Sequence, residues 1–158
     1  MIHEYHNTLL NVDVFDYTLT FDDGLLSQYT NRNINSNKKI FFICPKFIQD
    51  GHNDIGQVCM SLDNVKQLLK EGYEIGAHSY SHTPLGKMPN LPEQVNYMLK
   101  DTQECLTWFN DKLNIVPSNF CFPYNDDCKG VYKAVAMKCG FTNFYGSERT
   151  PIEKLLRS

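Results

Sequence analysis

The chain has 158 residues, 42% of them hydrophobic, so we interpret residues 1–158 as one domain with a buried core. Fifteen Lys and Arg residues against eighteen Asp and Glu residues give a formal net charge of -3 without cationic clusters, which argues against nucleic-acid binding. The first dozen residues lack a signal-peptide pattern, and the longest apolar run, residues 40–44, is far too short to span a bilayer. The six cysteines contain no C-x-x-C pair, so we expect reduced thiols rather than a zinc knuckle or a disulfide framework.

Two strands and one helix are predicted in the first half of the chain. Residues 12–21 are rich in β-branched and aromatic side chains and end at Asp22-Asp23-Gly24, which is typical of a strand that runs into a turn. Residues 40–44 form an apolar run closed by a proline, which predicts a fully buried strand. A helix is predicted over residues 61–72, with a serine as its N-cap and a glycine as its stop.

The middle of the chain predicts a strand followed by a long helix. Residues 73–77 predict a strand that ends at His78. Asn90 as N-cap, Pro92 in the first turn and Glu93 three residues after the cap predict where the long helix begins. Its predicted core-facing stripe comprises Val95, Leu99, Thr102, Leu106, Phe109 and Leu113.

The last part of the chain predicts a strand, a helix and a strand. Residues 119–122 predict a short strand before Pro123-Tyr124, residues 129–139 a helix, and residues 141–145 a final strand. Strands that alternate with helices imply a parallel sheet with helices packed on its outside. In such sheets functional residues collect at the carboxyl ends of the strands, where the paired aspartates, His78 and Pro123-Tyr124 all fall.

A metal site is predicted at Asp23, His78 and His82. Oxygen and imidazole donors suit Zn²⁺ or a similar first-row ion, whereas calcium prefers oxygen alone. Two histidines four residues apart can point the same way, and a third, carboxylate ligand leaves positions open for water and substrate. Taken alone, the histidine pair is more often a pair of hydrogen-bonded surface residues, and the aspartate pair is more often a turn.

Three ordered motifs carry a resemblance to a known family. Thr20-Phe21-Asp22-Asp23-Gly24, then His78-Ser79-Tyr80-Ser81-His82-Thr83, then Phe122-Pro123-Tyr124 resemble the polysaccharide deacetylase family, also called the NodB homology domain or carbohydrate esterase family 4. The resemblance spans residues 17–145. It implies a distorted (β/α) barrel, here shortened, with parallel strands inside and helices outside. It also implies metal-dependent removal of an N-acetyl or other acyl group from an amino sugar.

The resemblance assigns a role to each motif residue. It implies that Asp22 is the catalytic base, that Asp23, His78 and His82 bind one divalent metal ion, and that the backbone N–H of Tyr124 helps to hold the oxyanion. We expect Zn²⁺, with Co²⁺ or Ni²⁺ as alternatives. Candidate substrate-binding residues are Pro123, Tyr124 and Asp126, although for Asp126 solvation of its loop is the favoured interpretation.

Two departures from the family pattern concern the proposed chemistry. Cys121 stands where many members have an arginine. Arg149 could supply the missing charge, although an ordinary surface role is the favoured interpretation. The family's late histidine, its usual general acid, is absent, since no histidine follows His82. The candidates for that acid are metal-coordinated water, His52, His3 and His6.

Two other functions remain open from the sequence. Phosphoryl transfer of the haloacid dehalogenase type needs two aspartates two positions apart, whereas Asp13 and Asp16 are three apart, so this alternative is weak. A non-catalytic carbohydrate- or metal-binding module would fit the missing late histidine. The retention of Asp22 beside Asp23 argues against it, because a pure metal site needs only the second aspartate.

The sequence also favours a cellular location, a class of substrate and an oligomeric state. The missing export signal favours a cytoplasmic location without membrane insertion. The expected substrate is therefore an N-acylated amino sugar or oligosaccharide, such as a precursor of a surface polysaccharide. A shortened barrel would leave a sheet edge open, and a second copy in a homodimer could cover it.

Overall fold

The computed structural model describes the backbone of residues 2–5, and residues 16–152 and 154. Strands in this part of the chain are β1 (Ile2–Tyr5), β2 (Thr18–Phe21), β3 (Lys38–Ile43), β4 (Glu74–Ala77), β5 (Asn119–Cys121), β6 (Asn143–Tyr145) and β7 (Thr150–Pro151). The α-helices are α1 (Leu26–Thr30), α2 (Pro45–Asp50), α3 (Leu62–Lys70), α4 (Leu91–Trp108) and α5 (Val131–Lys138). A π-helical turn, Phe109–Leu113, continues α4, and 3₁₀ turns occupy Leu85–Lys87 and Pro123–Asn125.

The strands form one parallel sheet in the order β6-β5-β4-β3-β2-β1-β7. The sheet curls into a half-barrel with the helices around its outside, which confirms the predicted distorted, shortened (β/α) barrel. Among the described strands, β6 and β7 are the two edges. The carboxyl ends of β2, β3, β4 and β5 therefore lie side by side at one rim.

The alternation of side chains along the strands separates two cores. Leu19 and Phe21 of β2 join the large cluster that also contains residues of α3, α4 and α5. Ile40, Phe42 and Cys121 form a separate cluster on the inner face of the sheet. Since successive strand residues point to opposite faces, Asp22 follows the inner set. The proposed base is thereby directed into the half-barrel rather than toward the helices.

Most predicted elements are confirmed, and apart from the first strand their boundaries agree or shift by no more than two residues. Residues 12–15 of the first predicted strand lie outside the described residues, and the described strand begins at Thr18. The strands predicted near residues 40, 73, 119 and 141 are β3, β4, β5 and β6, and the predicted helices are α3, α4 and α5. The sequence analysis did not identify β1, α1, α2 or β7, which are short and carry little periodic signal.

The buried face of α4 differs from the predicted stripe. Four of the six predicted positions, Val95, Leu99, Leu106 and Leu113, are only half-buried. The buried face is instead made of Gln94, Met98, Asp101, Thr102, Cys105, Trp108 and Phe109. Hydrophobic periodicity misplaced the face because two buried polar side chains of α4 bind nearby loops. Gln94 Nε2 donates to the carbonyl of Leu85 at 2.7 Å, and Asp101 binds the loop between the two histidines.

The cysteines match the expectation of reduced thiols. All six cysteines are free thiols. Burial raises the pKa of the Cys44 and Cys105 thiols well above the ordinary value, so both stay protonated at neutral pH. Within the described part of the chain, every helix is too short or too polar to cross a bilayer.

Candidate functional site

The predicted site residues meet at the rim formed by the carboxyl ends of the strands. Asp22 and Asp23 directly follow β2, and His78 directly follows β4. Tyr124 lies three residues after the end of β5 at Cys121. Because β3 alone separates β2 from β4, residues about 55 positions apart in the sequence become neighbours.

Asp23, His78 and His82 form a cluster that fits a single metal ion. Nε2 of His78 lies 3.2 Å from Oδ1 of Asp23, and Nε2 of His82 lies 3.4 Å from the same oxygen. The candidate ligand atoms all lie within 4.8 Å of one another, and the three residues are buried. Tetrahedral ligands about 2.1 Å from a zinc ion lie about 3.4 Å apart. The spacing and the donor set therefore suit a divalent ion of the zinc type.

Each histidine has a partner that orients it for metal binding. Nδ1 of His78 donates to the backbone carbonyl of Cys121 at 2.9 Å, and Nδ1 of His82 donates to Oδ2 of Asp54 at 3.2 Å. A ring that carries its proton on Nδ1 leaves the Nε2 lone pair free, and such outer partners are usual for metal-binding histidines. At Cys121 the backbone provides this contact, so it does not depend on the side chain.

The charges within the cluster shift the pKa of each ligand. Burial alone would raise the pKa of Asp23, but the hydrogen bond from His78, the charges of both histidines and the hydrogen bond from Asn53 lower it overall. Burial and the charge of His78 lower the pKa of His82 to about 4. Burial opposes protonation of His78 as well, yet its bond to Asp23 and the charges of both aspartates raise its pKa. His82 is therefore neutral at pH 7 and ready to bind an ion.

Arg149 holds the proposed base, which corrects the surface role favoured for it from the sequence. Its guanidinium is buried and donates a hydrogen bond to each oxygen of the Asp22 carboxylate. Nη1 of Arg149 lies 2.8 Å from Oδ1 of Asp22, and Nη2 lies 2.9 Å from Oδ2. It also donates to Thr20 Oγ1 at 3.0 Å and to Asn125 Oδ1 at 2.7 Å. A bidentate arginine favours the ionised carboxylate and fixes its plane. Arg149 thus places a positive charge beside Asp22 although Cys121 stands in the third motif.

The loop between the two histidines (residues 78–83, the histidine loop) is tied to α4. Ser79 and His82 both have left-handed backbone conformations, with φ of 59° and 58°, and the N–H of His82 donates to Ser79 Oγ at 2.9 Å. Buried Asp101 of α4 accepts hydrogen bonds from Ser81 Oγ at 2.6 Å and from the backbone N–H of Tyr80 at 2.9 Å. The helix therefore holds the loop in the strained form that brings His82 back toward His78.

The third motif borders the open side of the site. Tyr124 has φ of 60° and ψ of 19°, its ring centroid lies 4.6 Å from that of His82, and it is 53% exposed. A cleft of about 490 Å³ lies over the metal cluster and is lined by Asp22, Asp23, Asp54, Ile55, Gln57, His78, His82, Tyr124 and Asn125. Pro123 and Asp126 line an adjacent cleft that shares Tyr124. The predicted substrate-binding residues thus lie beside the metal cluster, and their contact with substrate stays a prediction.

Among the candidate general acids, His52 is the one whose side chain the structure describes, and it lies outside the cleft. His52 is exposed, its Nδ1 faces the carbonyl of Asn53 at 3.0 Å, and it is not among the described residues that line the cleft. The side chain of His3 and all of His6 lie outside the described residues. Sequence reasoning also missed Asn53 and Asp54, because they lie in a loop without periodicity.

The family model of polysaccharide deacetylases matches residues 12–144. The chain belongs to the polysaccharide deacetylase family. This membership confirms the resemblance that the three motifs carry, and it leaves phosphoryl transfer without support. No curated protein is similar enough in sequence to count as a match.

Solved structures with the same fold share little sequence with this chain. A de-N-acetylase from Aggregatibacter actinomycetemcomitans has a TM-score of 0.68 at 16% identity, over 85% of this chain and 68% of that protein. IcaB from Ammonifex degensii has a TM-score of 0.69 at 22% identity, over 86% of this chain and 61% of IcaB. BA3943 from Bacillus anthracis, described as a CE4 family pseudoenzyme, has a TM-score of 0.56 at 15% identity, over 85% of this chain and 43% of BA3943. At these identities the similarity establishes the fold alone.

Proposed function

We propose that this chain is a metal-dependent hydrolase that removes an acetyl or other acyl group from the nitrogen of an amino sugar. One observation carries the proposal: the carboxylate of Asp22 lies beside the cluster of Asp23, His78 and His82, within 4.8 Å of a ring nitrogen of His78. The proposed metal is Zn²⁺. The proposed substrate is an N-acylated amino sugar or oligosaccharide, of the kind used as a precursor of a surface polysaccharide.

Each residue at the rim has a separate task in this chemistry. A divalent ion held by the cluster, when bound, polarises the acyl carbonyl and makes water more acidic. Asp22 takes the proton of the attacking water, and a positioned base of this kind contributes typically about 10² to 10⁴ in rate. Arg149 keeps Asp22 ionised and oriented.

The oxyanion formed on attack is held by the backbone N–H of Tyr124. One well-aimed donor of this type is worth roughly 3 to 4 kcal/mol in the transition state. The leaving nitrogen must gain a proton, and among the described residues the donor is unassigned.

A non-catalytic sugar- or metal-binding protein is the competing function, since one relative of the same fold is described as a pseudoenzyme. The presence of Asp22 and of the two hydrogen bonds from Arg149 favours a catalytic function over a binding function, because a metal site needs neither residue. A cytoplasmic location and a homodimer that covers the open sheet edge remain predictions from the sequence.

An acetate-release assay paired with metal analysis tests the proposal. The purified protein would be analysed for bound metal and then incubated with N-acetylated mono- and oligosaccharides and with nucleotide-linked N-acetyl sugars. We expect about one equivalent of a divalent metal and release of acetate that stops when a chelator removes the metal. Metal without turnover on any substrate would favour the binding protein. A protein that binds no metal would refute the hydrolase and would leave only a sugar-binding function.

A further inference from the structure

Asp54 makes two contacts that connect the metal cluster to the third motif. Its Oδ2 accepts a hydrogen bond from Nδ1 of His82 at 3.2 Å and another from the hydroxyl of Tyr124 at 2.6 Å. The carboxylate is 36% exposed and lines the cleft over the cluster. A single oxygen atom thus contacts a candidate metal ligand and the residue whose backbone N–H is proposed to hold the oxyanion.

The hydrogen bond between Asp54 and His82 determines which ring nitrogen of His82 carries the proton and which can bind an ion. Since a carboxylate only accepts, Nδ1 must carry the proton, and Nε2 is left as a lone pair directed at the cluster. A carboxylate partner also makes the imidazole a stronger ligand than a carbonyl partner does. His78 has only the carbonyl of Cys121 in this position. The two histidines are therefore oriented by different kinds of group, and only the partner of His82 can be removed by a side-chain substitution.

The contact with Tyr124 restrains a strained residue. A tyrosine at φ 60° is in a conformation that non-glycine residues rarely adopt, and surrounding contacts must maintain it. Two contacts involve its side chain, the hydrogen bond to Asp54 and the packing of its ring on His82. Held at both its hydroxyl and its ring, the side chain restrains the Cα–Cβ bond of Tyr124 and so helps to keep the backbone in its left-handed conformation.

The loop that carries Asp54 (residues 51–59, the 51–59 loop) is itself ordered by Asn53. Oδ1 of Asn53 accepts from the backbone N–H groups of Ile55 at 3.2 Å and Gln57 at 2.8 Å. Its Nδ2 donates to Oδ2 of Asp23 at 3.1 Å. The loop is thus anchored on the cluster by Asn53, and Asp54 is the next residue along the chain.

We propose that Asp54 is a positioning residue that orients both the second histidine ligand and the oxyanion-binding tyrosine. This inference rests on the proposed metal-dependent function and extends it to a loop outside the three family motifs. Asp54 touches neither the ion nor the reacting atoms in this role. Its removal should therefore weaken metal binding and slow turnover without abolishing either.

The test compares Asp54→Ala with Asp54→Asn, which keeps an acceptor oxygen without the charge. Zn²⁺ and Co²⁺ affinities would be measured by competition with a chromophoric chelator. We expect Asp54→Ala to bind about 10- to 100-fold more weakly than the wild type, as is typical when such a partner is lost, with Asp54→Asn between them. The matched control is Asp50→Ala, which removes a carboxylate from an exposed ion pair with Lys46 and should bind metal like the wild type.

Two further measurements separate the two contacts. Tyr124→Phe removes only the phenol donor, so it should leave metal affinity within about twofold while lowering kcat for acetate release. Long-range ¹H–¹⁵N spectra of the metal-free protein should show the His82 proton on Nδ1 in the wild type and a shift toward Nε2 in Asp54→Ala. If the wild type binds no metal, the proposed function fails. An unchanged His82 tautomer, or an Asp54→Ala affinity equal to that of the wild type, overturns the role of Asp54 itself.

Discussion

Several residues of the site lie in backbone conformations that cost energy. Asp23, His82 and Tyr124 have φ values of 78°, 58° and 60°. Such conformations cost of order 1 to 3 kcal/mol each and persist only where neighbouring contacts hold them. The three sequence motifs predicted that these residues belong to the site. Asp54, which contacts His82 and Tyr124, was not predicted from the sequence, and Arg149, which holds Asp22, was considered but assigned a surface role. Both residues lie in irregular segments and contact the site only through the tertiary fold.

Replacement of Arg149 should reduce catalysis more than metal binding. In Arg149→Met the Asp22 carboxylate loses both bonds that fix its plane, and a displacement of about 1 Å at a reacting group can cost about 10²-fold in rate. We expect kcat to fall by roughly that factor while the metal content stays near the wild-type level. Steady-state kinetics and metal analysis check this, with Arg32→Met, which breaks an exposed ion pair with Glu71, as the control. Wild-type kcat in Arg149→Met would contradict the role of Arg149.

Metal affinity should fall as the pH is lowered through neutrality. The raised pKa of His78 means that its ring carries a proton in the metal-free protein below that pKa, and an ion must displace this proton to bind. His82, with a pKa of about 4, contributes no proton in this range. Below the pKa of His78 we expect the apparent affinity to drop by up to about tenfold per pH unit.

Calorimetry in two buffers with different ionisation enthalpies measures the proton release directly. Release should be close to zero well above the pKa of His78 and should approach one proton per ion below it. A binding enthalpy that is independent of the buffer at every pH between 6 and 8 would show that His78 is already neutral.

At the level of elements, the positions of the strands and of the longer helices could be predicted from the sequence. The face of α4 that is buried could not. The strand positions follow from short apolar runs, and the parallel order follows from their alternation with helices. The buried face of α4 depends on Asp101 and Gln94, whose burial is offset by hydrogen bonds to loops that are remote in the sequence. Periodicity of apolar residues cannot reveal a buried polar residue with a distant partner.

Loss of the Asp101 carboxylate should destabilise both the fold and the histidine loop. Asp101→Ala leaves the N–H of Tyr80 without its acceptor and removes the nearest partner of the Ser81 hydroxyl, which also contacts Thr83 and Tyr97. The loss of a buried acceptor typically costs about 1 to 3 kcal/mol. We expect urea denaturation to show a loss of that size, together with weaker metal binding. Glu104→Ala, on the exposed side of the same helix, should change neither quantity by a comparable amount. Equal stability of the two variants would refute the anchoring role of Asp101.

At the level of the whole molecule, a short connection joins the two edges of the half-barrel. β6 ends at Tyr145 and β7 begins at Thr150, so four residues join the two edges of the described sheet. Five steps along an extended chain reach at most about 17 to 18 Å, so the edges must be close together. Arg149 lies in this connection and inserts into the half-barrel to reach Asp22. The connection that brings the edges together therefore also supplies the charge beside the base, and sequence patterns could not predict this link.

The central claim is that three side chains from two strand ends share one ion while Asp22 acts beside it. It is tested most directly by metal content and acetate release in the pair Asp23→Asn and Asp22→Asn. The two substitutions are chemically identical and adjacent in the sequence. We predict that Asp23→Asn loses both the metal and activity, whereas Asp22→Asn retains the metal and loses at least about 10²-fold in kcat. A fully metallated Asp23→Asn protein, or a fully active Asp22→Asn protein, would contradict the account.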